Sequence, residues 1–306
     1  MKDTFGEPIK EHEFNSLSIV EIEGFNSFLV RLDGKKFSTF TRGLPKPYDK
    51  VFSLVMMLTT NDIVDEYHAQ FGYTHSDEIT IGFNAKCAKK DYDENTVEKR
   101  EHSHKGRVAK IISQMAAYCT LRFNFHYMKE IQKGLTNYEE HTNKKILSMK
   151  AIFDARILVF PLEKQNWWIA HHMVWRSMYD CYRNGLSTFA DHYIGKKKTV
   201  GMDARDKYNA MIKVGLDFKL SPQYYRHGSY IKKIIVDKEC LNPKTGEKVI
   251  AKRSKLINFT MCVDDTDSRY QDLLMSKYLT DELRSIITES LDLTKIVSTP
   301  LNMNIV

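Results

Sequence analysis

Cysteine is in short supply. The 306 residues include five cysteines, Cys87, Cys119, Cys181, Cys240 and Cys262, an odd number scattered without a C-x-x-C pair. Such spacing suits neither a disulfide framework nor a zinc site, and points to a reducing interior. Long apolar runs are missing too: no stretch has the uninterrupted length of a membrane span, and Met1 to Pro8 lacks the apolar core of a secretory signal. The expectation is a cytoplasmic protein without a membrane partner. His102-Ser103-His104 and His171-His172 have neither cysteine partners nor H-x-x-x-H spacing, so they read as surface or packing histidines. No internal repeat and no clean linker is visible.

Charge of one sign barely dominates. Lys plus Arg number 46 against 39 Asp plus Glu, a net +7, which favours polyanions such as RNA or nucleotides only weakly. Hydrophobic residues make up 42%, enough for a real core.

What the chain does contain is two acidic clusters at the ends of apolar, strand-like runs. Asp33-Gly34 closes Asn26 to Leu32, and Asp77-Glu78 sits in the bend of Phe71 to Phe83, where Ile79, Ile81 and Phe83 alternate as in a hairpin. An Asp-Gly pair alone usually marks a turn. Carboxylates from both runs meeting at one sheet edge would instead suit hard divalent cations, which take oxygen ligands and promote phosphoryl displacement.

Between these runs, Asp49 is placed to cap a crossover helix carrying Val51, Leu54, Val55 and Leu58. Residues 84–104 form a polar connection. A helix follows, with Val108, Ile111, Ile112, Met115 and Cys119 as its buried stripe and Arg107, Lys110 and Ser113 near its N-terminus, where free N–H groups favour anions. Phe153 to Pro161 reads as a strand. The next helix divides into an apolar side (Trp175, Met178, Tyr179, Tyr182, Leu186) and a polar side (Arg176, Asp180, Arg183, Asn184, Ser187). Tyr224 to Ile231 enters a strand that pairs, through a turn at 243–246, with Val249-Ile250. Leu283, Ile286, Ile287 and Leu291 predict a last amphipathic helix. Lys196-Lys197-Lys198 reads as a solubilising loop.

These segments resemble the tRNA-His guanylyltransferase family, including its relatives that repair tRNA 5′ ends by polymerising in the 3′ to 5′ direction. The resemblance runs from about Asp3 to Lys233. It rests on Arg31-Leu32-Asp33-Gly34-Lys35 with Phe37, Gly43-Leu44 with Lys46-Pro47 and Asp49, Ser76-Asp77-Glu78, and Gly106-Arg107-Val108 with Lys110 and Ser113. Phe153-Asp154 with Arg156, Asp180 with Asn184, and Arg226-His227-Gly228-Ser229 complete it.

The resemblance implies an α+β fold: a polymerase-palm-like antiparallel sheet with helices packed on one face, in a catalytic core over 1–235. A C-terminal hairpin and helix, 236–306, has no family counterpart. It implies two Mg2+ ions held by Asp33, Asp77 and the Gly34 carbonyl, with Glu78 in support and Lys46 acting in catalysis. Lys35, Lys36, Phe37, Ser76, Arg107, Lys110 and Ser113 would contact nucleotide, and Asp154, Arg156, Asp180, Arg183, Asn184, Lys207 and Arg226 would face RNA. GTP and ATP are the implied substrates, the tRNA 5′ end the partner, and a homo-tetramer the assembly.

Three departures favour the template-dependent repair branch. Pro8 stands where arginine is expected, the His-Ile-Asn-Asn run is absent, and Trp175-Arg176 lies one residue further from Asp180 than the family spacing. Two other readings stay open: a palm-type signalling-nucleotide cyclase or synthase, and a catalytically inactive RNA-binding palm.

Overall fold

The computed structural model describes residues 5–89, 101–134, 136–242, 244–298, 301, 303 and 304. Residues 90–100 of the expected polar connection lie outside the described residues. Helix α1 (Glu7–Ser16) leads to strand β1 (Phe28–Gly34), the short α2 (Phe37–Phe40), α3 (Lys50–Glu66) and the hairpin of β2 (Phe71–His75) and β3 (Glu78–Phe83). Next come α4 (Val108–Gln132), α5 (Glu140–Leu147), β4 (Phe153–Val159), α6 (Gln165–Val174), a π-helical stretch (Trp175–Cys181) and α7 (Tyr182–Ala190). A second π-helical turn (Asp191–Gly195) precedes α8 (Lys196–Thr199), α9 (Ala204–Lys213) and α10 (Gln223–His227). The chain then forms β5 (Ser229–Leu241), β6 (Lys248–Thr260), α11 (Ser268–Met275), α12 (Asp281–Arg284) and β7 (Glu289–Leu291).

The seven strands make one antiparallel sheet in the order β4-β1-β3-β2-β5-β6-β7, the α+β arrangement expected. Alternation along β1 sends successive side chains to opposite faces. Phe28, Val30 and Leu32 join Ile79, Ile81 and the buried sides of α3 and α4, including Val55, Ile63, Ile111, Met115 and Phe123. Leu29 points the other way, to Phe71, Tyr73, Leu158 and Tyr230, with Ile169 and Met173 of α6 and Leu273 and Leu274 of α11. The α3/α4 layer is the helical face expected from the sequence, and α6 with α11 adds a cover over the opposite face.

Local chemistry explains the boundaries near the acidic edge. Asp49 caps α3 by accepting from the Phe52 N–H, as its position predicted. At Gly34 a Cβ would collide with the Phe37 ring, so only glycine lets α2 fold back against the end of β1.

One expected element is corrected. Leu283 to Leu291 is not a helix: α12 ends at Arg284, and Glu289–Leu291 adds a strand to the edge of β6. The helical part of the C-terminal region is α11. It is fastened to the core by Lys232, fully buried on β5, whose ammonium group donates to the carbonyls of Gln70 (2.9 Å), Leu274 (3.0 Å) and Ser276 (2.6 Å). Among the described residues, no helix is long and apolar enough to cross a membrane.

Candidate active site

The two acidic runs meet. β1 and β3 pair with Asp33 opposite Glu78, and the Gly34 N–H donates to the Asp77 carbonyl (3.2 Å), which fixes the β2–β3 turn against the end of β1. On the other side of β1, Asp33 faces Asp154 and Gly34 faces Phe153. Asp33, Asp77 and Asp154 therefore share one sheet end, with the Gly34 carbonyl among them. The Ser76 hydroxyl donates to Asp77 (3.1 Å). Burial, and then the neighbouring Asp33 charge, raise the pKa of Asp77. Carboxylates crowded in this way favour a cation between them, and an all-oxygen donor set fits Mg2+ rather than zinc or copper.

Beside the acids lies a charge network that no single sequence motif announces. Glu78 accepts from Arg31 (2.5 Å) and Arg176 (3.1 Å). Arg176 also pairs with Asp180 (2.8 Å) and Glu13 (3.1 Å), and Arg31 with Glu13 (3.1 Å). His75 approaches Asp180 (3.6 Å) and Glu78 (3.8 Å). Burial opposes a charge on His75, yet Asp180 and Glu78 raise its pKa. Three carboxylates thus face two guanidinium groups and the His75 ring. His75, Glu78 and Asp180 bring possible ligand atoms within 4.8 Å of one another, but the guanidinium groups already hold the two carboxylates, so the cluster is an ion-pair network rather than a metal centre. Arg31 could have been found from the sequence, because it alternates with Asp33 along β1 and shares its face.

The π-helical stretch builds this network. A π turn accommodates one extra residue, and the resemblance had placed Trp175-Arg176 one residue too far from Asp180. The expected division of that helix is corrected accordingly: Arg176 and Ser177 are fully buried, whereas Tyr179 is exposed. Asn184 donates to Asp180 (3.2 Å), and the Arg183 guanidinium lies over the Tyr179 ring.

A cavity of about 240 Å³ opens against the Asp77 turn. His75 and Ser76 form one wall, Lys46, Tyr48, Asp49 and Ser53 another, and Asn184, Gly185 and Thr188 of α7 a third. Asp49 at its floor accepts from Tyr138 (2.6 Å), and burial raises its pKa.

Not every expected contact gathers here. The Phe37 ring is 2% exposed and packs against Phe40, Phe52, Phe123 and Phe153. Lys35 and Lys36 are exposed just beyond β1. Arg107, Lys110 and Ser113 stand at the start of α4, toward the end of β1 opposite the acids. β3 runs antiparallel to β1, so the chain leaves the sheet beside Phe28, and α4 starts there. His102 stacks edge-on to Phe28, and the Val108 N–H donates to the Val20 carbonyl. Five residue steps of strand, about 17 Å, separate Phe28 from Asp33. Lys207 donates to Ser187 and Arg226 to the Ser221 carbonyl, neither to the acidic edge.

An antiparallel sheet ending in clustered carboxylates, beside a cavity lined in part by Lys46, is an α+β architecture with a site suited to cations and their phosphate ligands. The comparisons narrow that class. Residues 7–161 match the family model described as Thg1, tRNAHis guanylyltransferase. Over 283 residues the chain is 35% identical to the uncharacterized protein R259 of Acanthamoeba polyphaga mimivirus, covering 91% of this chain and 92% of that one. In fold it is similar to a bacterial tRNA(His) guanylyltransferase (Thg1)-like protein in complex with ATP (TM-score 0.56, 22% identity, 81% of this chain and 92% of that one). A bacterial Thg1-like protein in complex with GTP gives a TM-score of 0.52 at 21% identity, over 89% and 99% of the two chains. The chain belongs to the tRNAHis guanylyltransferase (Thg1) family.

Proposed function

We propose that this protein adds nucleotides in the 3′ to 5′ direction to the 5′ end of tRNA or a tRNA-like RNA, as a divalent-cation-dependent nucleotidyltransferase. The observation that carries this reading is the convergence of Asp33, Gly34 and Asp77 at one sheet end, with Lys46 on the wall of the adjoining cavity. Asp33, Asp77 and the Gly34 carbonyl would hold Mg2+, which when bound lowers the pKa of an attacking hydroxyl and neutralises phosphate charge. ATP and GTP, the ligands of the two similar bacterial structures, are the nucleotides the cavity would receive.

In the activation step a nucleotide is joined to the RNA 5′-monophosphate with loss of pyrophosphate. In the transfer step the 3′-hydroxyl of an incoming nucleoside triphosphate attacks that phosphorus and displaces the activating nucleoside monophosphate. Lys46 stabilises charge on the reacting phosphates, and Arg31 with Arg176 holds the Glu78 side chain in place through ion pairs. The network of Glu13, Glu78, Asp180 and His75 keeps the β2–β3 turn rigid, so the Asp77 carboxylate is presented in one orientation.

The departures from family spacing favour template-dependent repair, and the family likeness makes a homo-tetramer the assembly to test. Incubation with Mg2+, labelled GTP or ATP and a tRNA lacking its 5′ nucleotide decides the matter. Extension at the 5′ end that EDTA abolishes supports the proposal. A cyclic nucleotide or dinucleotide product would replace it with a synthase, and RNA binding without turnover with an inactive palm.

A further inference from the structure

Two arginines lie side by side on the face that carries the acids, Arg31 on β1 directly opposite Arg156 on β4. Their situations differ. Arg31 is 11% exposed and committed to Glu13 and Glu78 at 3.1 and 2.5 Å. The side chain of Arg156 is 39% exposed and touches Asp33 and Asp154 only at 3.9 Å each, the outer limit of an ion pair. It is the loosely held cation of the site, and both carboxylates it touches lie at the edge where a metal would sit.

We infer that Arg156 is the resting counter-ion of the acidic edge, displaced from Asp33 when divalent cations bind and thereby released to grip the phosphates of the nucleotide. The inference rests on the proposed metal role of Asp33. A guanidinium and a divalent cation compete for the same carboxylate lone pairs and repel each other, so occupancy of the edge by metal weakens the hold on Arg156. Once free, its planar fork matches a phosphate bidentately, whereas lysine would offer only a point charge. The side chain has the solvent access needed to turn, which Arg31 lacks. Arg156 accordingly has opposite effects on two ligands: it opposes metal and favours nucleotide.

That opposition makes the test. Mn2+ is titrated calorimetrically into the full chain without nucleotide, and GTP is titrated in the presence of Mg2+ without RNA. Removing one positive charge beside the site should tighten Mn2+ binding by Arg156→Gln about fivefold. GTP affinity should fall about tenfold for loss of a charge-assisted bidentate contact. Arg156→Lys should keep Mn2+ affinity near that of the unaltered protein and recover only part of the GTP affinity. Unchanged or weaker Mn2+ binding by Arg156→Gln, or unchanged GTP binding, overturns the inference. Asp33→Asn separates the two levels: if it leaves Mn2+ binding intact, the metal reading itself fails, and if it abolishes binding while Arg156→Gln changes nothing, only the role of Arg156 is lost. Melting temperatures of all variants establish that each remains folded.

Discussion

Arg176→Met is the sharpest test of the network that backs the acidic edge. Arg176 is 2% exposed and joins Glu13 on α1, Glu78 on β3 and Asp180 in the π-helical stretch. Methionine fills much of its volume, so the main loss is the charge. Three carboxylates would then be left with Arg31 and His75. Removing one partner of a buried ion pair costs about 3–5 kcal/mol, mostly because the remaining charge stays buried unpaired.

Urea unfolding at pH 7.5 should show a stability loss of that size, and the loss should shrink at pH 5.5. Burial already raises the pKa of Glu78, against the pull of His75 and Arg31. Without Arg176 that pKa rises further. A carboxyl whose folded pKa exceeds its unfolded value binds protons on folding, so the variant gains stability as pH falls through the folded pKa. The double variant Arg176→Met/Glu78→Gln should recover part of the loss even at pH 7.5, since the two sites share one network. A deficit under about 1 kcal/mol, or one equal at both pH values, would refute the reasoning.

Asp77→Asn should lower 5′ extension by about 10³-fold, because a neutral amide cannot balance a divalent cation, while melting is unchanged or slightly raised by relief of repulsion from Asp33. Turnover within tenfold of normal would remove Asp77 from the chemistry. Burial lowers the pKa of Lys232 to about 7 from its ordinary 10.5. Between those values the unfolded chain binds the extra proton, so stability should rise with pH by up to about 1.4 kcal/mol per unit, and Lys232→Met should flatten that slope. Equal slopes in urea titrations at pH 7, 8 and 9 would count against it. Phe37→Leu should cost about 1 kcal/mol and leave the KM for nucleotide alone; a raised KM at normal stability would return Phe37 to the binding site.

The acidic edge was legible in the sequence because its parts are local. Asp33-Gly34 after an apolar run, and Asp77-Glu78 inside an alternating one, announce a strand end and a hairpin whatever the rest of the chain does. The Asp49 cap and the Val108 to Cys119 stripe are local for the same reason, one being a single hydrogen bond and the other a period. What escaped needed long-range information. The start of α4 lies far from the acids because β3 runs back along β1, a direction no motif around Arg107 encodes. The burial of Arg176 follows from a π turn, which breaks the 3.6-residue period used to assign faces. Leu283 to Leu291 satisfies a helical spacing, yet the open edge of β6 claims Glu289–Leu291 as a strand. Phe37 lies within a motif and still serves the core, because the missing Cβ of Gly34 leaves room for its ring.

The contact between the Gly34 N–H and the Asp77 carbonyl has a wider meaning. It is made of main chain alone, as is the pairing of Asp33 with Asp154 and Glu78, so the spacing of these backbone positions belongs to the ladder and not to the identity of surrounding side chains. Residues around such a ladder can then change widely while its strand ends keep their mutual distances. A shared architecture at 22% identity is what such inheritance through the backbone would leave behind.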